Sequence, residues 1–486
     1  MPLITFGEYR PDVSDYDAAY TSQVLNALPR GDGYGPMQDF SPYSAPLPGP
    51  CRGFFRAIKT DGSVAIFAAT ATKLYALNAT NQTWSDVSAG AASYPAVSST
   101  DQWQFAQYIN FVIAVQANAP PQYFDLTAST AFGTLAGAPP QARYISIVGD
   151  FVVLTGLVNN PYRVQWSALG DPTGWTAGVN ASDFQDLPDG GIVRGVAGGE
   201  FGNIFQDTAI RRLIYAPGSP VIFQIERISD DRGLYAPYSL IRSGDQIFFL
   251  GPQGFQQMDP AGYPQPIGKE KVDRAVLADI DGGNLQLVLG ASDPRHHRVF
   301  WAYKSNSGSA GLFDKMLCYD YVLARFTPIA IGGEFLGSLS QPGLTLENLD
   351  AISSSLDALI PSLDSFATSV TPEIAAFSAG HALGFFRGPN LQAAVATGAQ
   401  AQPGRRLFVR GFRPLTDAAT VFGAVGARER LADTEVFSAE TAMDATGSCP
   451  QRAATRYARG SIRIPAGTAW TFAQGVEPDI APEGER

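Results

Sequence analysis

The stretch Tyr144-Ile-Ser-Ile-Val-Gly-Asp-Phe-Val-Val-Leu154 reads as two short strands joined at a Gly149-Asp150 turn. Arg163-Val-Gln-Trp166 follows as a third strand, after an interval carrying Gly156 and Pro161. Such β-branched and aromatic residues suit a pleated, half-buried surface. Similar units recur on a coarse period of about 30–45 residues. Two precede it. The first has Val64-Ala-Ile-Phe-Ala-Ala, Lys73-Leu-Tyr-Ala-Leu and Thr83-Trp84; the second has Trp103-Gln-Phe-Ala, Phe111-Val-Ile-Ala-Val and Gln122-Tyr-Phe. Three follow it. The fourth unit contains Gly191-Ile-Val-Arg-Gly-Val, Asn203-Ile-Phe, Leu213-Ile-Tyr and Val221-Ile-Phe-Gln-Ile. The fifth contains Ser239-Leu-Ile, Gln246-Ile-Phe-Phe-Leu and Gly254-Phe-Gln-Gln-Met. The sixth contains Leu285-Gln-Leu-Val-Leu, Arg298-Val-Phe-Trp-Ala-Tyr and Lys315-Met-Leu-Cys-Tyr-Asp. The apolar runs are partly continuous, as expected of strands packed on both faces. The reading is a mostly β chain with a β-propeller-like domain over residues 51–335; a pair of β-sandwiches is the alternative.

The rest of the chain divides around that domain. Its 486 residues exceed one ordinary core. Residues 1–50 form a Tyr-rich arm with Tyr9, Tyr16 and Tyr20 and few aliphatics. A short helix is expected from Asp15 to Leu28, with Ser14 as its cap. Such an arm buries itself poorly, so it is expected to dock on its own propeller or on a neighbouring subunit. Removing residues 1–20 should then weaken assembly rather than folding. Residues 336–400 are a Ser/Ala/Gly-rich linker, with one amphipathic helix possible over Leu344–Leu359 and a hairpin over His381–Ala399. Residues 401–486 alternate polar with apolar, the pattern of a second, C-terminal β domain with one wet face.

Composition bounds the chemistry. The net charge is −11, whereas non-specific nucleic-acid binding needs a basic face. The charge is uneven: residues 401–463 hold ten Arg and six acids, so they carry +4 and the remainder −15. An acidic surface built from the remainder would repel phosphate, with the Arg-rich segment set apart from it. Arg405, Arg406, Arg410 and Arg413 are candidate assembly contacts, together with Tyr9, Tyr16 and Tyr20; an interface of the Arg set with an acidic partner or with DNA phosphates competes with ordinary strand-surface pairing. Cys51, Cys318 and Cys449 are too far apart to suggest a metal motif or disulfide framework, so folding in a reducing compartment is expected. No apolar run reaches a membrane span, and MPLITFGEYRPDVSD lacks the features of a secretory signal. The triplets at Asn78, Asn81 and Asn180 therefore carry little meaning as glycosylation acceptors.

No catalytic residue, cofactor or metal is assigned. Asp230-Asp231 and Asp279-Ile-Asp281-Gly-Gly are acidic pairs of the kind a hydrolase needs, but acids beside Gly are usually turn formers. Asp279 and Asp281 lack the remaining ligands of a calcium loop. His296 and His297 are adjacent and His381 is distant, which is a poor arrangement for one metal. Gly198-Gly-Glu-Phe-Gly202 lacks the Lys of a phosphate loop, and no nucleophile elbow is present.

Three ordered stretches carry a family resemblance. The first is Leu25-Asn-Ala-Leu-Pro through Gly33-Tyr-Gly-Pro-Met to Cys51-Arg-Gly-Phe, with Lys73-Leu-Tyr beyond. The second is Trp166-Ser-Ala-Leu-Gly-Asp-Pro-Thr-Gly-Trp175 to Leu187-Pro-Asp-Gly-Gly191 and Gly199-Glu-Phe-Gly-Asn-Ile-Phe. The third is Gly233-Leu-Tyr-Ala-Pro-Tyr-Ser-Leu to Phe248-Phe-Leu-Gly-Pro-Gln-Gly-Phe255. Over roughly residues 20–330 the chain resembles the tail hub, or nozzle, of short-tailed bacteriophages, also called the packaged-DNA stabilisation protein. The resemblance implies a structural virion protein with an embedded β-propeller, folded in the host cytoplasm and placed in the virion tail. It implies a homohexamer below the portal and head–tail adaptor, in contact with tail fibre, spike or needle proteins. Its ring would continue the DNA channel, retain the genome and then pass it at ejection without specific binding. The rival readings are a propeller module that recognises a glycan or host receptor, and a glycoside hydrolase or lyase should carboxylates converge in one pocket.

Overall fold

The computed structural model describes residues 3–16, 19–219, 221–340, 372–402 and 405–483. The chain is mostly β, with a propeller and a further β domain. Six four-stranded antiparallel blades follow one another at 54–86, 104–134, 142–186, 193–229, 241–266 and 289–329. A seventh joins Phe335–Leu339, Glu373–Phe377 and Ala382–Phe385 to Ser41–Pro46 as its outermost strand. The first strands of successive blades meet around the axis, and blade 7 closes against blade 1.

Middle strands such as Phe151–Leu157 are buried along their whole length, which explains their unbroken apolar sequence. Aromatic rings bridge neighbouring blades: Phe67 meets Phe124 at 5.0 Å, Phe205 meets Phe249 at 5.1 Å, and Phe255 meets Trp301 at 4.6 Å. Each fully buried ring contributes about 1.5–3 kcal/mol of transfer free energy.

The closing blade is held by a buried carboxylate. Glu334 accepts the Cys51 N–H at 2.9 Å on one oxygen, and its other oxygen lies 2.6 Å from His381 Nδ1. Leu47 N–H donates to the His381 carbonyl at 2.9 Å. The six-unit reading of the sequence thus missed a blade, whose strands fall partly in the expected arm and partly in the expected linker. Residues 336–400 are not simply a linker. Nor is His381–Ala399 a hairpin: Ala382–Phe385 pairs with Glu373–Phe377, while Ala393–Ala396 crosses to the second domain. The helix expected over Leu344–Leu359 lies outside the described residues.

The second domain packs two sheets. One orders Cys449–Thr455, Arg406–Thr416, Ala473–Glu483, Gly33–Pro36 and Ala27–Arg30, with Ile4–Thr5 also paired to Ala473–Glu483. The other orders Val436–Phe437, Phe422–Arg428, Tyr457–Ile464, Ala393–Ala396 and Val24–Leu25. Their shared core includes Phe6, Tyr34, Phe412, Val425, Ile462 and Trp470. Residues expected to form a separate arm are therefore strands and core of this domain.

The helix expected from Asp15 to Leu28 does not form; its described residues include the strands Tyr20–Thr21, Val24–Leu25 and Ala27–Arg30. Tertiary pairing overrides the local pattern here. Asn26 sits in the left-handed region at φ 55°, a conformation Asn tolerates and a helix forbids. It also ties the two domains: its N–H donates to Pro328 O at 3.0 Å, and its Oδ1 accepts Ala330 N–H at 2.7 Å. Lys271 to Glu8 at 2.9 Å, and the Arg274 and Ala275 N–H groups to Asp12, extend that seam.

Candidate functional site at the propeller mouth

The propeller axis holds a cavity of about 360 Å³ whose walls come from all seven blades. Phe54, Phe105, Val196, Leu289 and Phe335 contribute apolar side chains to it, and Gln104, Ser146 and Arg242 contribute polar ones. A second cavity, of about 560 Å³, opens where the first strands begin. Thr100, Asp101, Arg143, Tyr144, Arg194, Tyr238 and Gln286 line it together with Gly282 and Gly283.

Each polar group at this mouth is fixed by the fold. Arg143 is the second residue of Ala142–Val148, and Arg194 is the second of Val193–Ala197. Arg143 Nε donates to Asp101 Oδ2 at 3.2 Å, and its Nη1 to Gly156 O at 3.4 Å. Arg194 Nε donates to Asp207 Oδ1 at 2.6 Å, while Asp207 Oδ2 accepts Ile192 N–H at 2.9 Å. The Tyr238 hydroxyl oxygen accepts Gln102 N–H at 2.8 Å. Gln102 Nε2 donates to Gln286 O at 3.1 Å, and its Oε1 accepts Arg52 Nε at 2.8 Å. Gly156 has φ 62°, and a side chain there would strike the Tyr144 ring. Burial pushes the Tyr144 and Tyr238 phenols well above their ordinary range, so both keep their protons and act as neutral hydroxyls. Burial also lowers the Arg52 guanidinium from its ordinary value.

The residues singled out in the sequence lie elsewhere. Tyr9 is half-buried at the seam, where burial, then Asp12 and Asp279, push its phenol up to about 12. Tyr20 lies under the Arg10 guanidinium, 4.2 Å from its ring centroid. Tyr16 is exposed, with its ring 5.4 Å from that of Tyr457. Arg406, Arg410 and Arg413 sit on the strand Arg406–Thr416, facing Glu429 at 2.6 Å, Asp479 at 2.7 Å and Glu477 at 3.8 Å. Arg405 precedes that strand and donates its N–H to Gln402 O at 3.2 Å. Glu429 also meets Arg456, the neighbour of Tyr457, so contacts connect the Arg406 end of the strand to Tyr16. Tyr9 and Tyr20 belong to the seam instead.

The acidic pairs do not converge. Asp231 accepts from Ser229 at 2.9 Å, and Asp230 lies 3.9 Å from Arg227. Asp279 is held by Lys315 at 2.7 Å and by the Tyr303 hydroxyl at 3.1 Å. Asp281 binds Lys304 at 2.8 Å, and hydrogen bonds from Lys304, Asn284 and the Gly283 N–H hold its carboxyl down at about 2. His296 contacts Asp293 and His297 contacts Tyr321, so the adjacent pair splits. Among the described residues no group of three or more His, Cys, Asp or Glu is placed to hold a metal ion. Sequence reasoning missed Arg143 and Arg194; their shared place, one residue into a blade's first strand, was the available signal.

No family model and no curated protein matches the chain. Solved structures do. The extracellular domain of the one-component system BT4673 from B. thetaiotaomicron matches at 9% identity and TM-score 0.42, over 82% of this chain and 47% of that one. The chain therefore spans less than half of that domain. YCF48 bound to D1 peptide matches at 13% identity and TM-score 0.36, over 61% of this chain and 86% of that chain. BamB from Moraxella catarrhalis matches at 11% identity and TM-score 0.35, over 75% and 94% respectively. The propeller is defined by its own strand pairing, and these similarities add no functional argument.

Proposed function

We propose that this chain is a non-catalytic structural subunit of a short-tailed phage tail. It forms a ring, a homohexamer, below the portal and adaptor, contacts fibre, spike or needle proteins, and retains and then passes the genome. Its place is the virion tail, after folding in the host cytoplasm. The observation that carries this reading is where the phage-like motifs fall. Leu25-Asn-Ala-Leu-Pro through Gly33-Tyr-Gly-Pro spans the Asn26 tie and the buried Tyr34 of the second domain. Side chains at Gly190 and Gly191, before blade 4, and at Gly233, after it, would collide with Gln206 or Asp207 of that blade. The residues that carry the resemblance pack the second domain and blade 4, which supports a structural role. The test is native mass measurement of the purified chain, alone and with a portal–adaptor complex. A closed ring of six is expected; a monomer under both conditions would overturn the proposal. The second reading, a propeller module that binds a glycan or host receptor, is favoured by the arginines and tyrosines that line the cavity at the mouth.

A further inference from the structure

The mouth cavity has a surplus of donors. Among the described residues, Arg143 Nη2 and both Nη atoms of Arg194 make no hydrogen bond, and neither does the Tyr144 hydroxyl. Tyr238 accepts through its oxygen and keeps its proton to donate. Asp207 is engaged through both oxygens and Asp101 through Oδ2, each holding an arginine by its Nε. That engagement fixes both guanidiniums while leaving their outer N–H groups for another partner. Guanidinium ends of this kind suit a planar oxyanion, which accepts two parallel N–H bonds. Two acceptors remain beside them, Asp101 Oδ1 and Gln286 Oε1, neither engaged by the described residues. The volume of about 560 Å³ falls within the range of small-molecule sites.

We infer that the propeller mouth binds a sugar acid of the uronate type. The carboxylate lies against Arg143 and Arg194, the tyrosine hydroxyls donate to it or to ring oxygens, and ligand hydroxyls donate to Asp101 and Gln286. A neutral sugar leaves the guanidiniums without their acceptor, and a simple oxyanion leaves Asp101 and Gln286 without donors. The inference extends to host contact what the ring proposal says only of assembly. It does not depend on that proposal, because binding is read on the isolated chain and ring formation by mass.

The experiment is calorimetric titration of the full chain with D-glucuronate, D-glucose and inorganic phosphate. It is repeated on Arg143→Gln, Arg194→Gln and Arg194→Lys, with a thermal melt of each protein. Saturable glucuronate binding is expected, at least about tenfold tighter than glucose and weakened about tenfold or more in each Gln variant of unchanged melting temperature. Arg194→Lys should recover part of the affinity, since it restores charge without the fork. Competition by phosphate at lower affinity than glucuronate supports the arginine pair as the oxyanion holder. Should Arg143→Gln unfold, Arg194→Gln and Arg194→Lys decide. Equal affinity for glucose, tighter binding of phosphate, no saturation by glucuronate up to about 10 mM, or full affinity in a folded Arg194→Gln protein would each overturn the inference.

Discussion

Among the described residues, the buried Asp273 carboxylate takes one hydrogen bond, from Phe255 N–H at 3.0 Å, and its Oδ2 has no partner. Gly254 and Gly268 press against it so closely that a side chain at either would overlap its oxygens. Burial first, and then Asp12, push its carboxyl up to about 6. The folded protein therefore holds this proton more tightly than the unfolded chain. Between the unfolded range near 4 and about 6, stability falls as pH rises. Asp273→Asn should stabilise the protein at pH 7 by about 1–3 kcal/mol, with the gain fading below about pH 4. Urea denaturation at both pH values checks this, and a variant less stable at pH 7 would contradict it. The cysteines make a second case. Burial pushes Cys318 up to about 12 and Cys449 up to about 11, and raises Cys51 as well. A thiol is nucleophilic as its thiolate. Iodoacetamide at about pH 8 should therefore leave all three unmodified in the native protein and alkylate all three after unfolding, as read by intact mass. None of this could be read from the sequence, where Asp273 is one acid among many; its solvation depends on two glycines that the chain brings from 5 and 19 residues before it.

Six blades were legible as elements because each lies within one short stretch of chain, where turn signals and apolar runs alternate. The seventh was not, because about 290 residues separate its outer strand, Ser41–Pro46, from its first, Phe335–Leu339. The second domain was legible as β but not in its membership, since Ile4–Thr5, Val24–Leu25, Ala27–Arg30 and Gly33–Pro36 come from the other end of the chain. Two predictions follow from those long-range closures. Glu334→Ala leaves the Cys51 N–H and His381 without their shared acceptor inside blade 7, and should cost about 2–4 kcal/mol by urea denaturation. An effect within about 0.5 kcal/mol would mean that the closure is held elsewhere. Deleting residues 1–20 should lower the thermal transition markedly, contrary to the expectation for a detachable arm. The deletion removes the Ile4–Thr5 pairing and the buried Phe6. It also removes Asp15, which lies 2.5 Å from Arg459, a guanidinium whose side chain is only 2% exposed and whose other acid is Glu435. An unchanged melt would restore the arm reading.

At the scale of the whole molecule, the propeller cannot itself carry DNA. Its axial cavity of about 360 Å³ is the size of a small-ligand pocket, far short of a duplex channel. In the proposed ring a duplex must run between subunits, along outer surfaces. Residues outside 401–463 carry −15, so a lumen built from them repels phosphate and keeps the duplex from adhering. The +4 segment then belongs at contacts with a neighbouring ring or subunit. Arg410 and Arg413 are suited to a clean test because their present pairs contribute little to folding. Arg410 and Asp479 have side chains 57% and 59% exposed, and Arg413 and Glu477 lie 3.8 Å apart and exposed. Exposed pairs of this kind are worth about 0–1 kcal/mol each. Charge reversal by Arg405→Glu, Arg406→Glu, Arg410→Glu and Arg413→Glu together should therefore leave a folded subunit with a modestly lowered melt. Assembly should be lost, as read by native mass with the portal–adaptor complex. The unaltered ring should bind duplex DNA no more tightly than a neutral protein at physiological salt, with little dependence on ionic strength. A ring that persists after reversal would remove this strand from the assembly contacts. Tight, salt-sensitive DNA binding by the unaltered ring would place basic side chains in the lumen and overturn the acidic wall.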